Sequence, residues 1–224
     1  KTVEVTGLPE GVTVNEYTYN SKINAGTYTA SVTFNYDSDN YNTPSLADLT
    51  WTINKAEGQV DVSAVLTTFT YTGEEKSISG ATGTGEVSYE NNSFTNAGNY
   101  TVTVNVAESD NYLATNTTVD VIVEKATVTG ISFEGETFIY DGTAKSIYIT
   151  GYLPDEVSVE YVGNNQTTAG TYSVTAKFTV SDNYNAIEDM TANLIIGKAD
   201  YDMTEASWDY TEAFTYNGTT KTVE

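Results

Sequence analysis

Alternating apolar and polar residues mark the strands of this chain. In the stretch AGTYTASVTF, apolar side chains alternate with Thr and Ser. A period of two residues predicts a strand with one buried face. The alternation occurs three times along the chain, and the predicted buried faces are Tyr28, Ala30, Val32 and Phe34, then Tyr100, Val102, Val104 and Val106, then Tyr172, Val174, Ala176 and Phe178.

A second strand pattern ends on Lys-Ala three times. Before Lys55, Lys125 and Lys198, apolar residues lie two, four and six positions earlier in the chain. Because this register is the same in three divergent sequences, the same face of the strand is predicted to be buried each time. The members of this face are Ile53, Trp51 and Leu49, then Val123, Val121 and Val119, then Ile196, Leu194 and Ala192.

The turns repeat together with the strands. The Ala-Gly pair at Ala25 recurs at Ala97 and Ala169, and both intervals are 72 residues (97 − 25 and 169 − 97). A fixed period of this size indicates a tandem array in which each repeat is one folding unit. The predicted divisions are 1–56, repeat 1, which lacks its opening strand; 57–126, repeat 2; 127–199, repeat 3; and 200–224, the C-terminal segment, which is the opening strand of a fourth repeat or a donor segment for the next chain.

These patterns predict an all-β fold. Short strands separated by Gly and Asn turns, with hydroxyl-rich outer faces, are typical of β-sandwich modules. The best helix candidates, TPSLADLTW and LATNTTVDVIV, are short or rich in β-branched residues, so both are interpreted as a loop followed by a strand. We therefore predict a tandem array of small Ig-like β-sandwich modules in an extended rod.

Composition limits the chemistry that the chain can perform. Its 224 residues include no Cys and no His, and all nine basic residues are Lys. The chain therefore lacks a thiol nucleophile, thiolate metal ligands and the commonest general base. A formal net charge of −22 disfavours contact with nucleic acid, and no run of residues is apolar enough for membrane insertion. We predict that the protein is not an enzyme and binds neither nucleic acid nor the membrane interior.

The turn and strand motifs resemble a known class of repeats. In repeat 3 the motifs are YDGTAKSI, LPDEVSV, NNQTTAGTYSVTAKF, DNY and LIIGKA. They resemble the MBG-type repeats of large bacterial surface and secreted proteins and, more loosely, bacterial Ig-like repeats. Repeat 2 departs from the pattern because it lacks the Leu-Pro turn. The resemblance covers nearly the whole chain and implies an extracellular or cell-surface bacterial protein without a catalytic set.

The Asp-Asn-Tyr turns are candidate calcium sites. Asp37, Asp39, Asp110 and Asp182 carry closely spaced oxygen atoms of the kind that Ca²⁺ binds. Asx residues also cap turns without any ion, and each turn supplies few carboxylates. Calcium and plain turn capping are therefore two interpretations of these residues, and no other cofactor is predicted.

Aromatic residues and lysines suggest two further alternatives. Trp51 and Trp208 offer the largest faces for stacking on a sugar ring, although Trp51 lies on the predicted inward face of its strand. Lys55, Lys125 and Lys198 could form isopeptide bonds with Asn if each were buried beside a carboxyl group. The simpler interpretation is a solvated lysine that blunts strand pairing at an edge.

The two ends of the sequence are complementary. Past Ala199 the chain continues into an opening strand and a Tyr-Asn-Gly turn, and Lys221-Thr-Val-Glu224 repeats Lys1-Thr-Val-Glu4. The C-terminal segment is therefore expected to complete repeat 1 of another chain by strand addition, or to belong to 220-residue super-repeats (221 − 1) of one giant polypeptide, or to reflect an arbitrary chain boundary. The residues predicted to make the contact are Phe214, Tyr216 and Val223 on the donor side and Lys1, Val3 and Val5 on the acceptor side.

The function predicted from these features is structural. We expect an extracellular or cell-surface rod or fibre, built by head-to-tail self-association or by further repeats of the same polypeptide. The alternative from another class is an adhesin whose repeats bind a glycan or a host protein. Aromatic-rich variable loops would favour the adhesin, whereas the loops here consist mostly of Asn, Thr, Gly and acidic residues.

Overall fold

The computed structural model describes residues 1–211 and 213–222. Every regular element among these residues is a β-strand, which confirms the all-β prediction. No helix of a length and hydrophobicity that would cross a membrane occurs in this part of the chain. The chain divides into two compact units, Lys1–Ala126 with Asp182–Tyr184, and Thr127–Ser181 with Asn185–Glu224.

Repeat 1 forms a three-stranded antiparallel sheet in the first unit, in the order β1-β2-β3. The central strand, β2, carries the alternating sequence that predicted a half-buried strand, and Tyr28 on this strand lies opposite Trp51 on its neighbour. A bulge in β1 between Val14 and Glu16 shifts the register with β2. The three strands are β1 (Thr13–Thr18), β2 (Gly26–Asn35) and β3 (Leu49–Ile53).

Repeat 2 forms a four-stranded sheet in the order β5-β9-β8-β7, together with a two-stranded pair, β4-β6. The β5 and β9 strands are parallel, and the other neighbours in the larger sheet are antiparallel. Strand β4 contacts β8 and β9 without pairing with either, so it packs on the face of the larger sheet. The strands are β4 (Val60–Asp61), β5 (Thr68–Thr70), β6 (Thr82–Gly83), β7 (Val87–Glu90), β8 (Gly98–Val106) and β9 (Thr115–Glu124).

Repeat 3 forms a four-stranded sheet in the second unit with the same pairing pattern. Its order is β10-β13-β12-β11, and β10 pairs with β13 in parallel as β5 pairs with β9. The remaining neighbours are antiparallel. The strands are β10 (Glu136–Ile139), β11 (Val157–Val162), β12 (Gly170–Val180) and β13 (Met190–Gly197).

The cores of repeats 2 and 3 lie on the predicted strand faces. Val102 and Val121 are completely buried in repeat 2, as are Val174 and Leu194 in repeat 3. The loop segment that begins at Lys76 covers the repeat 2 core from the opposite side with Ile78, which is 2% exposed. The predicted register is confirmed, because the alternating residues that pointed inward in the sequence pattern are the residues that the core contains.

Candidate functional site

The terminal strand of repeat 1 is exposed where its counterparts are buried. Leu49 on β3 is 51% exposed, whereas Val119, at the same position of β9, is 8% exposed. Trp51 is partly exposed, whereas Leu194, at the same position of β13, is completely buried. The strand order explains the difference, because β9 and β13 each lie between two strands while β3 pairs only with β2 among the residues that the structure describes.

A groove of about 330 Å³ lies against the exposed face of repeat 1. In repeat 2, Val60, Val65 and Phe69 from the opening segment pack against the equivalent part of the core. Repeat 1 contains no counterpart of that segment in this sequence. The groove is therefore core surface that an opening segment covers in the complete repeats, and its apolar walls are Val3, Val5, Tyr17, Ala30, Val32, Leu46 and Leu49.

The first residues of the chain form one side of this groove. The backbone N of Val3 donates to the carbonyl O of Asn20 at 2.7 Å, and the backbone N of Lys22 donates to the carbonyl O of Lys1 at 3.0 Å. Val3 is half-buried by this pairing. The predicted acceptor residues Lys1 and Val3 are thus anchored to repeat 1 itself.

A tyrosine hydroxyl fixes the next part of this segment. The backbone N of Val5 donates to the hydroxyl O of Tyr17 at 2.9 Å, and the backbone N of Ile149 donates to that of Tyr161 at 2.8 Å. The two bonds are related by the same interval of 144 residues (149 − 5 and 161 − 17). Val5 therefore occupies in repeat 1 the place that Ile149 occupies in repeat 3.

The C-terminal segment exposes large apolar side chains. None of its described residues, 200–211 and 213–222, lies in a strand. Tyr201 is 93% exposed, Trp208 80% and Tyr216 94%. Phe214 is half exposed and stacks on Tyr210 with ring centroids 4.8 Å apart. These exposed apolar groups make the segment a candidate binding surface.

The C-terminal segment contains an Asx turn, as does the opening segment of repeat 2. The backbone N of Thr204 donates to Oδ1 of Asp202 at 2.9 Å, and the backbone N of Ser63 donates to Oδ1 of Asp61 at 2.8 Å. The hydroxyl and amide of Thr204 lower the pKa of Asp202, and the amide and hydroxyl of Ser63 lower the pKa of Asp61. Both segments therefore contain an Asx turn, but Asp202 lies 12 residues before Phe214 whereas Asp61 lies 8 residues before Phe69.

A second turn of the C-terminal segment matches a turn of repeat 3. The backbone N and the hydroxyl of Thr219 donate to Oδ1 of Asn217 at 3.2 and 2.7 Å, and those of Thr143 donate to Oδ1 of Asp141 at 2.9 and 2.7 Å. The glycine that follows the Asx residue has a φ of +76° in the first turn and +81° in the second. Only glycine adopts this left-handed conformation without strain, so both turns need it.

Phe138 of repeat 3 is the counterpart of Phe214 and lies in a complete sheet. Phe138 on β10 has Ile196 as its parallel Cα partner and packs against the core of repeat 3. Phe214 and Tyr216 have the same Phe-Xaa-Tyr-Xaa-Gly spacing before their turn. Val223, the third predicted donor residue, lies outside the described residues.

A hydrogen-bonded junction connects repeat 1 to the Asp-Asn-Tyr turn of repeat 2. Oδ1 of Asn111 accepts from the backbone N of Ala25 at 2.7 Å, and Nδ2 of Asn111 donates to Oδ1 of Asn24 at 3.3 Å. The carbonyl O of Asn111 accepts from the backbone N of Ala56 at 2.9 Å. One asparagine therefore binds both the Ala-Gly turn and the Lys-Ala end of the repeat before it.

The Asn183 turn, which belongs to the first unit, makes the same contacts with repeat 2. Oδ1 of Asn183 accepts from the backbone N of Ala97 at 2.9 Å, and Nδ2 donates to Oδ1 of Asn96 at 3.3 Å. Its carbonyl O accepts from the backbone N of Ala126 at 2.9 Å. We call Asn111 and Asn183 the docking asparagines. This role was not predicted from the sequence, in which these turns are interpreted only as calcium ligands or turn caps.

Asp37, the first acidic residue of the turn in repeat 1, acts as a turn cap. Asp37 accepts from Nδ2 of Asn40 at 2.8 Å and from the backbone N of Asp39 at 3.0 Å, and these bonds lower the pKa of Asp37 in that order. Asp110 and Asp182 each precede a docking asparagine. Within residues 1–211 and 213–222, no group of three or more acidic side chains is close enough together to hold a metal ion.

Lys55 and Trp51 both make structural contacts within the first unit. Nζ of Lys55 donates to the carbonyl O of Ser109 at 2.7 Å and pairs with the carboxylate of Glu108, so this lysine belongs to the junction between repeats 1 and 2. Trp51 packs on Tyr28 with ring centroids 5.3 Å apart. Its indole therefore packs on an aromatic ring of the neighbouring strand.

Comparisons with known proteins give no family. No protein-family model and no curated protein matches the chain. Among solved structures, a SusE-like surface-located polysaccharide-binding protein from the Bacteroides thetaiotaomicron heparin utilisation locus aligns with a TM-score of 0.25 and 12% identity, over 84% of this chain and 36% of that one. An endo-fucoidan hydrolase from glycoside hydrolase family 107 aligns with a TM-score of 0.18 and 15% identity, over 89% and 38%. The chain spans little more than a third of either structure, and similarity at these TM-scores supports no functional argument.

Proposed function

We propose that this chain is a non-enzymatic structural repeat protein that forms a fibre at or beyond a bacterial cell surface. The observation that carries the proposal is the open core of repeat 1, in a chain whose C-terminal segment exposes the residues of an opening strand. The resemblance of the repeats to MBG-type repeats supports the bacterial surface location. The net charge of −22 opposes lateral bundling of such fibres.

The fibre forms by strand addition between copies. The C-terminal segment of one copy adds in parallel to the free edge of β3 in the next copy, as β10 adds to β13 within repeat 3. Phe214 then has Ile53 as its Cα partner, because Phe138 has Ile196 at the same position of the complete repeat. The ring of Phe214 then packs beside Ile53, and the residues before it in the segment run along the groove at Leu49, which gives the apolar surfaces of both partners a common interior.

Addition of this kind produces chains of copies. The donor surface at residues 200–222 and the acceptor surface in repeat 1 are different parts of the molecule, so the contact is heterologous. A heterologous contact that does not close into a ring extends into a filament. Each added copy presents a new C-terminal segment, and the same contact is repeated along the fibre.

Deletion of residues 200–224 tests the proposal. The full chain is expected to assemble with increasing concentration, and the deletion variant is expected to stay monomeric in sedimentation velocity and electron microscopy. A synthetic peptide of residues 200–224 is expected to bind the deletion variant one to one without restoring fibres, because the peptide fills the groove but carries no further repeat. Fibres formed by the deletion variant alone would contradict strand addition.

Two further readouts separate the alternatives. A mass of 24.2 kDa for the dissociated fibre under denaturing conditions identifies separate copies, whereas a far larger mass identifies one giant polypeptide. The adhesin alternative predicts binding to a glycan array that survives the deletion, because it assigns binding to the repeats themselves. Our proposal predicts that the deletion removes the association of the chain.

A further inference from the structure

We infer that Asn40 of the acceptor copy docks onto the Thr168–Gly170 turn of the donor copy, beside the added strand. This inference rests on the proposed strand addition and supplies it with a second contact. Asn40 is the residue of repeat 1 that corresponds to Asn111 and Asn183 in the three Asp-Asn-Tyr motifs. Both of those asparagines make the same three hydrogen bonds in the structure.

The order of the chain identifies the partner of Asn40. In each described junction, the docking asparagine contacts the Ala-Gly turn of the repeat that precedes it in sequence. The C-terminal segment follows repeat 3 directly. When this segment opens repeat 1 of another copy, repeat 3 of the donor becomes the preceding repeat. Ala169 then corresponds to Ala25, and Ala199 corresponds to Ala56.

Two of the three bonds carry over without change. Oδ1 of Asn40 accepts from the backbone N of Ala169, and its carbonyl O accepts from the backbone N of Ala199. The third bond changes because Thr168 stands where the other two repeats have Asn. The hydroxyl O of Thr168 lies 2.6 Å from that of Tyr172, and it accepts the bond from Nδ2 of Asn40.

A charge exchange accompanies docking. In the structure, Nδ2 of Asn40 donates to Oδ2 of Asp37 at 2.8 Å, so docking removes a partner from that carboxylate. In the junction between repeats 1 and 2, Lys55 pairs with Glu108, which stands at the position of Asp37. Lys198 of the donor copy is the counterpart of Lys55, so it pairs with Asp37 of the acceptor. The contact is therefore charge-complementary within a strongly acidic chain.

Cysteine pairs test the two contacts separately, because the chain contains no Cys of its own. A mixture of Asn40→Cys and Thr168→Cys copies reports docking, and a mixture of Asn54→Cys and Thr215→Cys copies reports strand addition. The second pair follows the register of Ile139 with Gly197 in repeat 3. Each mixture is oxidised at a concentration where fibres form, and disulfide-linked dimers are counted by denaturing electrophoresis.

A cysteine pair within one chain is the positive control. Oδ1 of Asn24 and Nδ2 of Asn111 are 3.3 Å apart, so oxidation of the variant with Asn24→Cys and Asn111→Cys measures how readily cysteines at a docked pair of positions cross-link. A second measurement compares Asn40→Ala with Asn35→Ala, an exposed asparagine of the same repeat. Loss of two neutral hydrogen bonds is expected to weaken assembly of Asn40→Ala about tenfold, and Asn35→Ala is expected to leave it unchanged.

Each outcome decides between the contacts. Cross-linking of both pairs, with weaker assembly of Asn40→Ala, supports docking. Cross-linking of the strand pair alone, with equal assembly of the two alanine variants, overturns docking and leaves the proposed function standing. Cross-linking of the docking pair alone overturns strand addition. Failure of both pairs between copies, in conditions where the control within one chain is oxidised, overturns both proposals.

Discussion

Replacement of Phe214 by Ala is the point mutation to which assembly is expected to respond most. In complete repeats the equivalent rings are half-buried in the core, where Phe69 lies 5.9 Å from the ring of Phe94 and Phe138 pairs with Ile196. In the isolated chain Phe214 is 48% exposed. Strand addition therefore transfers a large aromatic group from water onto the apolar face of repeat 1 beside Ile53.

The magnitude follows from the cost of truncating an aromatic side chain in a core. Phe→Ala substitutions in cores cost about 3–5 kcal/mol. We take the lower end for Phe214, because its counterparts are half-buried and because Tyr210 already covers one of its faces in the free segment. A loss of about 3 kcal/mol corresponds to a dissociation constant about 100-fold weaker for each contact between copies.

Sedimentation equilibrium over a concentration series measures this constant. Thr215→Ala is the matched control, because the equivalent residues Thr70 and Ile139 point away from the core and are exposed. The control is expected to assemble like the unmodified chain. Equal assembly of Phe214→Ala and Thr215→Ala would refute the assignment of Phe214 to the buried face of the added strand, since Thr215 is the adjacent residue on the opposite face.

Three further predictions concern the folded repeats. Val174→Asp places an unpaired charge at a completely buried position and is expected to unfold repeat 3 in a denaturant titration, while Ser173→Asp on the exposed face of the same strand is expected to keep it folded. The hydrogen bonds from Lys145 and Thr143 hold the pKa of Asp141 well below its usual range, so a carbon-detected NMR titration is expected to find Asp141 ionised at pH 3. The contribution of Asp141 to the stability of the fold is present above about pH 4 and is lost only as the pH falls through the lower folded-state pKa. The melting temperature is expected to be the same in excess Ca²⁺ and in chelator, and a shift of several degrees would restore the calcium interpretation of the Asp-Asn-Tyr turns.

The strand register could be predicted because burial imposes a period of two on the sequence. Val174 and Leu194 are completely buried at positions that alternation alone identified. The parallel pairing of the opening strand with the terminal strand could not be predicted, because β10 and β13 are about 50 residues apart and local patterns do not encode which strands pair. That pairing is what identifies the free edge of β3.

The docking asparagines were missed although the sequence contained a signal. The residue that opens the motif varies between Asp37, Glu108 and Val180, whereas the asparagine is constant. The aspartate before it is equally constant, as Asp39, Asp110 and Asp182, so the signal marked a repeated role for the motif without separating a metal ligand from a docking contact. The outcome is different for the predicted donor and acceptor residues. The structure places Val3 and Val5 in the groove wall, and binding of a second copy there stays a prediction.

Amide hydrogen exchange at Thr52 tests strand addition most directly. In repeat 2 the backbone N of Ile122 donates to the carbonyl O of Thr67 at 2.8 Å, and Thr52 is the residue of β3 at the position of Ile122. Consecutive amides of a strand point to opposite sides, so Ile53 faces β2 and serves as the internal reference. Strand addition predicts that the Thr52 amide exchanges quickly in the monomer and in the variant that lacks residues 200–224, and as slowly as Ile53 in the fibre. A fibre in which Thr52 exchanges as quickly as in that variant would contradict the account.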